Sequence, residues 1–326
     1  MDKDLLKEYQ LLNNSFKKKY VFHLGADAGF YSEVSNMIFA ILYCLKYEYQ
    51  FILYSEDANF AYQKGWRDFF LPFCKETTFF LHHFYNDRYT KPQKIKKRHY
   101  PIWVIYKLFN RNTSWTYQLW HKYFSKEFDG EIFDIPSLGI HGDIREAASV
   151  ILKMIYRYND QTIEQIQSHI NKLSLPTHYT SMQIRRGDKI IECLPCPIEK
   201  YFDAAAKYSK TKDLFILTDD YDIIEVVSSN YPEWNVKTLT TPDERGYNHK
   251  EFSAISKDKK KAKLIKLFSS IEIIKKSDLF LGTYTTNVGL FLGMAMPFDK
   301  VISIQKKSWF RFADDDIKEQ LVTNNH

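Results

Sequence analysis

The stretch MQIRRGDKI, Met182 to Ile190, decides how the rest of the chain is read. Tyr179 to Ile184 has the composition of a short buried strand and runs straight into two arginines and a Gly-Asp turn. In an open α/β sheet, ligands bind outside the carboxyl ends of the strands, so Arg185 and Arg186 face a crevice rather than a core. A guanidinium keeps its charge, and its planar fork matches phosphate oxygens two at a time. Two of them side by side suit a diphosphate held without a metal ion. Asp188 and Lys189 follow at once and set an acid and an amine beside that anion. The plainer alternative is a solvated strand end, with Asp188 paired to an arginine.

Working outward, the same half of the chain carries a second anion-type element. Residues 278–282, DLFLG, read as a strand, and TYTTNVG, 283–289, leads into the apolar run LFLGMAM. Hydroxyls at a strand-to-helix turn, beside the free amides of a helix start, favour an anion through the local dipole. Thr285, Thr286 and Asn287 are the expected cap. Between the two elements, LFILT at 214–218 is a strand that ends in Asp219-Asp220. Helical periodicity at 197–208, 223–230 and 262–276, with a short strand at 234–239, completes an alternation that predicts a parallel sheet covered on both faces.

The first half is less regular. YVFHLG, 20–25, is a strand followed by a turn containing Gly29, and 32–46 reads as an apolar helix with Ser32 as N-cap. YQFILY, 49–54, is a second strand. With only Gly25 and Gly29 and no GxGxxG, dinucleotide binding is not indicated. The basic segment Lys91 to Arg98 reads as a solvated loop or as a contact for an acidic acceptor or an anionic lipid surface. Helical periodicity from 143 to 173, closed by Pro176, places a domain boundary at 175/176.

Composition narrows the class. The chain has 326 residues, 25 Phe, 23 Tyr and only 11 Gly and 10 Pro, which is an ordered, enzyme-like make-up with no extended disorder. A net charge of +6 built from mixed charges favours anionic ligands, and the separated basic runs carry no RNA or DNA motif, so nucleic acid is not expected. No signal-like core or long apolar run occurs, so a cytoplasmic protein is expected, in at most peripheral contact with a membrane through Lys91 to Arg98. Four cysteines are too few for a disulfide framework; Cys193 and Cys196 have CxxC spacing without two further zinc ligands.

QIRRGDK with Glu192, the helix PIEKYF, FILTDD at 215–220 and SDLFLGTYTTNVG at 277–289 resemble the α-1,6-fucosyltransferases of glycosyltransferase family 23, whose pattern is HxRRxDK, a strand ending TDD, and ADFLxxTFSSxV. FAYQKGWRDFFLPF, 60–73, and HGDIREAASVILKMI, from His141, match more loosely, and Gly29 falls in the family's amino-terminal glycine turn, which implies a donor contact for it. The resemblance implies a GT-B-like α/β fold of two facing Rossmann-like domains: 1–175 on the acceptor side, and 176–326 binding the nucleotide sugar. It further implies a GDP-fucose donor, a glycan or glycolipid acceptor, inversion at the anomeric carbon, and no cofactor or metal. By motif, Arg185 and Arg186 hold the β-phosphate, and Thr285, Thr286 and Asn287 line it and the sugar. Asp219, with Asp220 beside it, contacts the donor, and Asp188, Lys189 and Glu192 face the reacting hydroxyl; Asp188 and Glu192 both remain candidates for the base. Two departures stand out. Gln183 replaces the family's histidine near the donor, and Ser270, with Glu272 nearby, stands where an acid reads guanine. A metal-dependent transferase using Asp219-Asp220 or Asp314 to Asp316, and a nucleotide- or glycan-binding protein without catalysis, are the other readings.

Overall fold

The protein, seen here as a computed structural model, is described at residues 2–25, 28–88, 94–124, 128, 130–187, 194–305 and 309. It divides into two units, Met1–Asn159 and Asp160–His326.

Unit 1 runs α1 (Asp2–Ser15), β1 (Lys18–His23), α2 (Phe30–Lys46), β2 (Tyr49–Tyr54), β3 (Lys75–Glu76), α3 (Leu81–Tyr85), α4 (Tyr100–Phe109), β4 (Thr113–Trp115), α5 (Thr116–Phe124), β5 (Phe133–Ile135), β6 (Ile140–Gly142) and α6 (Ile144–Ile155). Its four-stranded sheet has the order β3-β2-β1-β4, with every pairing parallel. The apolar ends of β1 and β2 are buried because helices cover them, as continuous apolar strands require. α2 is enclosed along its whole length from Phe30 to Leu45, and it begins at Gly29 rather than at Ser32, which is buried inside the helix. α1 was not foreseen, since its polar surface hides the anchor: Asn13 donates to Phe51 O at 3.1 Å and accepts from Phe51 N at 2.7 Å, tying the helix to β2.

The helical stretch expected over 143–173 is broken. α6 starts on a capping box of Asp143 and Glu146 and stops at Ile155. Tyr158 then bridges to Phe70, Leu71 N donates to Arg157 O at 2.7 Å, and Asn159 N donates to Phe69 O at 3.0 Å. These non-local backbone bonds replace the helical ones, so the units part at Asn159/Asp160 and not at 175/176.

Unit 2 runs α7 (Asp160–Asn171), β7 (Thr180–Ile184), α8 (Ile198–Tyr208), β8 (Asp213–Thr218), α9 (Asp222–Asn230), β9 (Asn235–Lys237), α10 (His249–Ala254), α11 (Lys257–Lys276), β10 (Leu279–Gly282), α12 (Asn287–Ala295) and β11 (Val301–Ser303). α7 packs against α11, which is why it belongs here. The five-stranded sheet, order β11-β10-β7-β8-β9, is parallel throughout. All five residues of the central strand β7 are buried. Met182, Ile184, Ile216 and Leu281 meet Tyr201, Phe202 and Trp234 in one apolar cluster. No described helix is long and apolar enough to cross a membrane.

Candidate functional site

β10 lies beside β7, with Leu281 opposite Met182, so the two elements read as anion-binding leave neighbouring strands at the same edge. One bond joins them directly: Thr286 Oγ1 donates to Gln183 Oε1 at 2.9 Å, with both side chains buried. Thr286 is the N-cap of α12, and its hydroxyl accepts from Gly289 N at 3.0 Å. Gly289 is required there, because a Cβ would sit 2.0 Å from Thr283 O. The other two residues expected in the cap do different work. Thr285 Oγ1 pairs with Thr283 Oγ1 at 2.9 Å, and Asn287 is the first residue of the helix. Gln183 therefore serves as a cross-strand tie in the place where the resembling family has histidine.

Where β7 and β8 end, the hub is Asp219, the residue after β8. Its carboxylate accepts from the Arg185 guanidinium, from Arg186 N at 2.8 Å and from Tyr247 N at 2.8 Å. Its own carbonyl accepts from Gly246 N at 2.8 Å. The Arg185 guanidinium also lies over the Tyr247 ring, 4.9 Å from the centroid. Two backbones cross under this arrangement. Gly187 has φ +48°, and a Cβ on it would meet Tyr247 O at 2.4 Å; a Cβ on Gly246, at φ +92°, would meet Gly187 Cα at 3.1 Å. Both glycines are favoured by their positive φ, and Gly187 by lack of room as well.

The two arginines are thus not equivalent. Arg185 has its charge matched by Asp219 in a half-enclosed setting. Arg186 donates to two carbonyls, Arg185 O at 3.1 Å and Cys196 O at 3.2 Å, and among the described residues no carboxylate pairs with it. A guanidinium has five donors, so these bonds fix its orientation and, counted against the described residues, N–H groups and charge remain for an anion. Asp220 turns away to accept from Asp222 N at 3.1 Å at the start of α9. Both oxygens of Asp219 accept from the chain's own donors. Among the described residues no group of three or more His, Cys, Asp or Glu could hold a metal. Asp188, Lys189, Glu192 and the run Asp314 to Asp316 lie outside the described residues.

On α11, Ser270 is buried and donates to Lys266 O at 3.1 Å, and the carboxylate of Glu272 is held by Lys275 at 2.8 Å. In unit 1, Gly29 has φ −62° and a Cβ there would meet nothing. The obligatory glycine of that turn is Gly25, at φ +78°, where a Cβ would come within 2.6 Å of the Ala58 Cβ. Sequence reading passed over Gly246 and Tyr247; the only cue was an Arg-Gly-Tyr step in a chain with 11 glycines.

The edge of unit 1's sheet holds a second polar array. His23, the last residue of β1, has Nε2 2.8 Å from Asp57 Oδ1 and Nδ1 2.5 Å from Asn86 O. His83 Nδ1 donates to the other Asp57 oxygen at 2.6 Å. Burial acts to raise the Asp57 carboxyl, but the two imidazoles outweigh it and hold it below the usual carboxylate value. Glu33, fully buried, pairs with Arg88 and accepts from Gly25 N at 3.0 Å.

The fold so assembled, α/β with a parallel sheet in each unit, is GT-B-like. A crystal structure of NodZ alpha-1,6-fucosyltransferase soaked with GDP-fucose matches it with a TM-score of 0.52 and 11% identity, covering 86% of this chain and 93% of that one. Fucosyltransferase NodZ from Bradyrhizobium matches with a TM-score of 0.50 and 10% identity over 86% and 94% of the two chains. POFUT1 in complex with GDP-fucose gives a TM-score of 0.45 and 12% identity over 86% and 94%. No protein-family model matches the chain, and no curated protein sequence does. At such identities the NodZ likeness shows the fold, which is the fold the sequence motifs resemble.

Proposed function

We propose that the protein is an inverting glycosyltransferase that moves fucose from GDP-fucose to a hydroxyl of a glycan acceptor, without a metal ion. The observation that carries this reading is the junction of the two anion elements, Gln183 to Thr286 at 2.9 Å, with Arg186 on one side and the start of α12 on the other. When the nucleoside diphosphate leaves, negative charge grows on the β-phosphate while the sugar becomes oxocarbenium-like. A guanidinium already aimed at that phosphate stabilises the transition state more than the ground state. In this reading Arg186 takes the phosphate, and Asp219 and Tyr247 hold Arg185 so that the local field stays fixed. Thr285 and Asn287 line the phosphate at the helix start, and Asp188 or Glu192 takes the acceptor proton. The acceptor side is unit 1.

A second reading keeps the chemistry and changes the base, to another nucleotide sugar. Ser270 in place of an acid, and Glu272 engaged by Lys275, favour it. Thermal-shift measurements with GDP, UDP, CDP and dTDP and their sugars decide between them, since a bound ligand raises stability with the logarithm of its concentration over Kd. Stabilisation by GDP-fucose, followed by mass-shifted product with a fucosylatable glycan, supports the first reading. Stabilisation by UDP, CDP or dTDP alone supports the second. No shift with any of them overturns both.

A further inference from the structure

α4 has two apolar faces, and the protein uses one. Trp103 and Tyr106 pack with Phe79, Ile95 and Tyr117 against Leu81, Tyr85 and Trp115. On the opposite side, at helical spacing, Ile102, Ile105, Leu108 and Phe109 are 42, 55, 55 and 84% exposed. Phe80 and Phe84, in ring contact with His99 just before the helix, are also exposed. Exposed apolar side chains are ordinary one at a time, but a contiguous set on one helix face marks an interaction surface.

The charges around that face say what covers it. Between Asp87 and Glu127 the sequence contains ten Lys or Arg and no acid. Lys94, Lys96, Lys97 and Arg98, all exposed, lead into α4, and Arg111 follows it. An apolar stripe flanked by cations, in a stretch without acids, is the pattern of a helix lying in the headgroup boundary of an anionic bilayer. A protein partner would demand acids placed one by one, whereas a lipid surface asks only for cations and an apolar wedge. Ten residues of helix span roughly 15 Å, about half of a bilayer core, so the element rests on the membrane and does not cross it.

We propose that α4 docks unit 1 on an anionic phospholipid surface, with Ile105, Leu108 and Phe109 entering the acyl boundary and Lys94 to Arg98 on the headgroups. This docking is independent of the transferase reading, because vesicle binding is measured with neither nucleotide nor acceptor. The test is co-sedimentation of the full chain with vesicles of phosphatidylcholine alone and of phosphatidylcholine with roughly one phosphatidylglycerol in three. Binding to the anionic vesicles is expected to exceed that to neutral ones about tenfold or more and to fall with salt. Ile105→Glu with Phe109→Glu abolishes it; Lys94→Glu with Lys97→Glu reduces it about tenfold or more, and both variants melt like the parent because the altered side chains are exposed. Absence of binding to either vesicle, or undiminished binding by the variant carrying Ile105→Glu and Phe109→Glu, overturns the proposal. So does light scattering that shows self-association removed by those same substitutions in lipid-free buffer, since the face would then be occupied by a second copy.

Discussion

At the carboxyl edge of unit 1's sheet Asp57 bridges two imidazoles, His23 and His83; at the carboxyl edge of unit 2's sheet Asp219 gathers a guanidinium and two backbone amides. Each edge uses one carboxylate to tie strand ends to loops. The partners differ in kind. Unit 2's edge rests on an ion pair and peptide donors, whereas unit 1's edge rests on a carboxylate that two imidazoles hold below its usual value. The glycines differ in the same way: Gly187 has no room for a side chain in unit 2's loop crossing and Gly246 is held at positive φ there, while Gly29 in unit 1 has room to spare.

The sharpest way to break this contrast is Arg186→Ala. Transfer from GDP-fucose, followed by mass spectrometry, is expected to fall about 10² to 10³-fold, as when a single transition-state donor is removed. The melting temperature should stay close to that of the parent, because the lost bonds go to two carbonyls at the edge of the fold. Near-parental transfer would place the diphosphate elsewhere.

Next in size is Asp219→Ala. It strips Arg185 of its counter-charge and leaves Arg186 N and Tyr247 N without their acceptor, a loss of about 2–4 kcal/mol in urea unfolding. Donor binding should weaken as well, since both loops that meet at Gly187 and Gly246 are released. Asp57→Ala is the matched control in unit 1: it should cost stability while leaving GDP binding unchanged. Equal loss of GDP binding in both variants would erase the division of roles between the edges.

These residues also show where sequence reading succeeds. β7, β8 and β10 were legible because strands buried on both faces must be short apolar runs, and the positions of Arg185 and Arg186 at the end of β7 and of Thr286 as the cap of α12 were legible because each stands just beyond such a run. Asp219 was legible as a position and not as a role. A donor-contacting acid and an acid that clamps an arginine look alike until Tyr247, 28 residues further on, is seen bonded to it. The Asp57 array is assembled from β1, the loop after β2, and α3, and nothing local in the chain announces that His23 and His83 share a carboxylate. α4 was missed because its exposed apolar face breaks the rule by which amphipathic helices are recognised.

The acid response of unit 1 gives a middle-sized effect. Burial, and then the positive charges of His23 and Lys107, lower His82 from 6.5 to about 3. Between those values the unfolded chain binds a proton that the folded chain refuses, so stability is full above pH 6.5 and declines as the pH falls toward 3. From pH 7 to pH 5 the loss should be about 2 kcal/mol, read from urea midpoints. Asp57, whose carboxyl is lowered in the fold, adds a further loss only as the pH drops below 3.8. His82→Gln should flatten the slope from pH 7 down toward 3, leaving only the loss that Asp57 adds below 3.8. A slope that survives in this variant would assign the acid response to another group.

The smallest effect comes from comparing the two helix starts. Thr286→Ala removes the cap of α12 and the hydroxyl that Gln183 Oε1 accepts from, a loss of about 1 kcal/mol or somewhat more. Thr286→Ser keeps the hydroxyl and should be near neutral. In unit 1 α2 begins at Gly29 with no side-chain cap, in extended backbone that any residue adopts, so Gly29→Ala should change stability by only a few tenths of a kcal/mol. The same alanine tests the donor contact that the motif resemblance implies for Gly29. If Gly29→Ala weakens GDP-fucose binding as much as Thr286→Ala does, the contact implied for Gly29 stands; if only Thr286→Ala weakens it, that contact is lost from the reading.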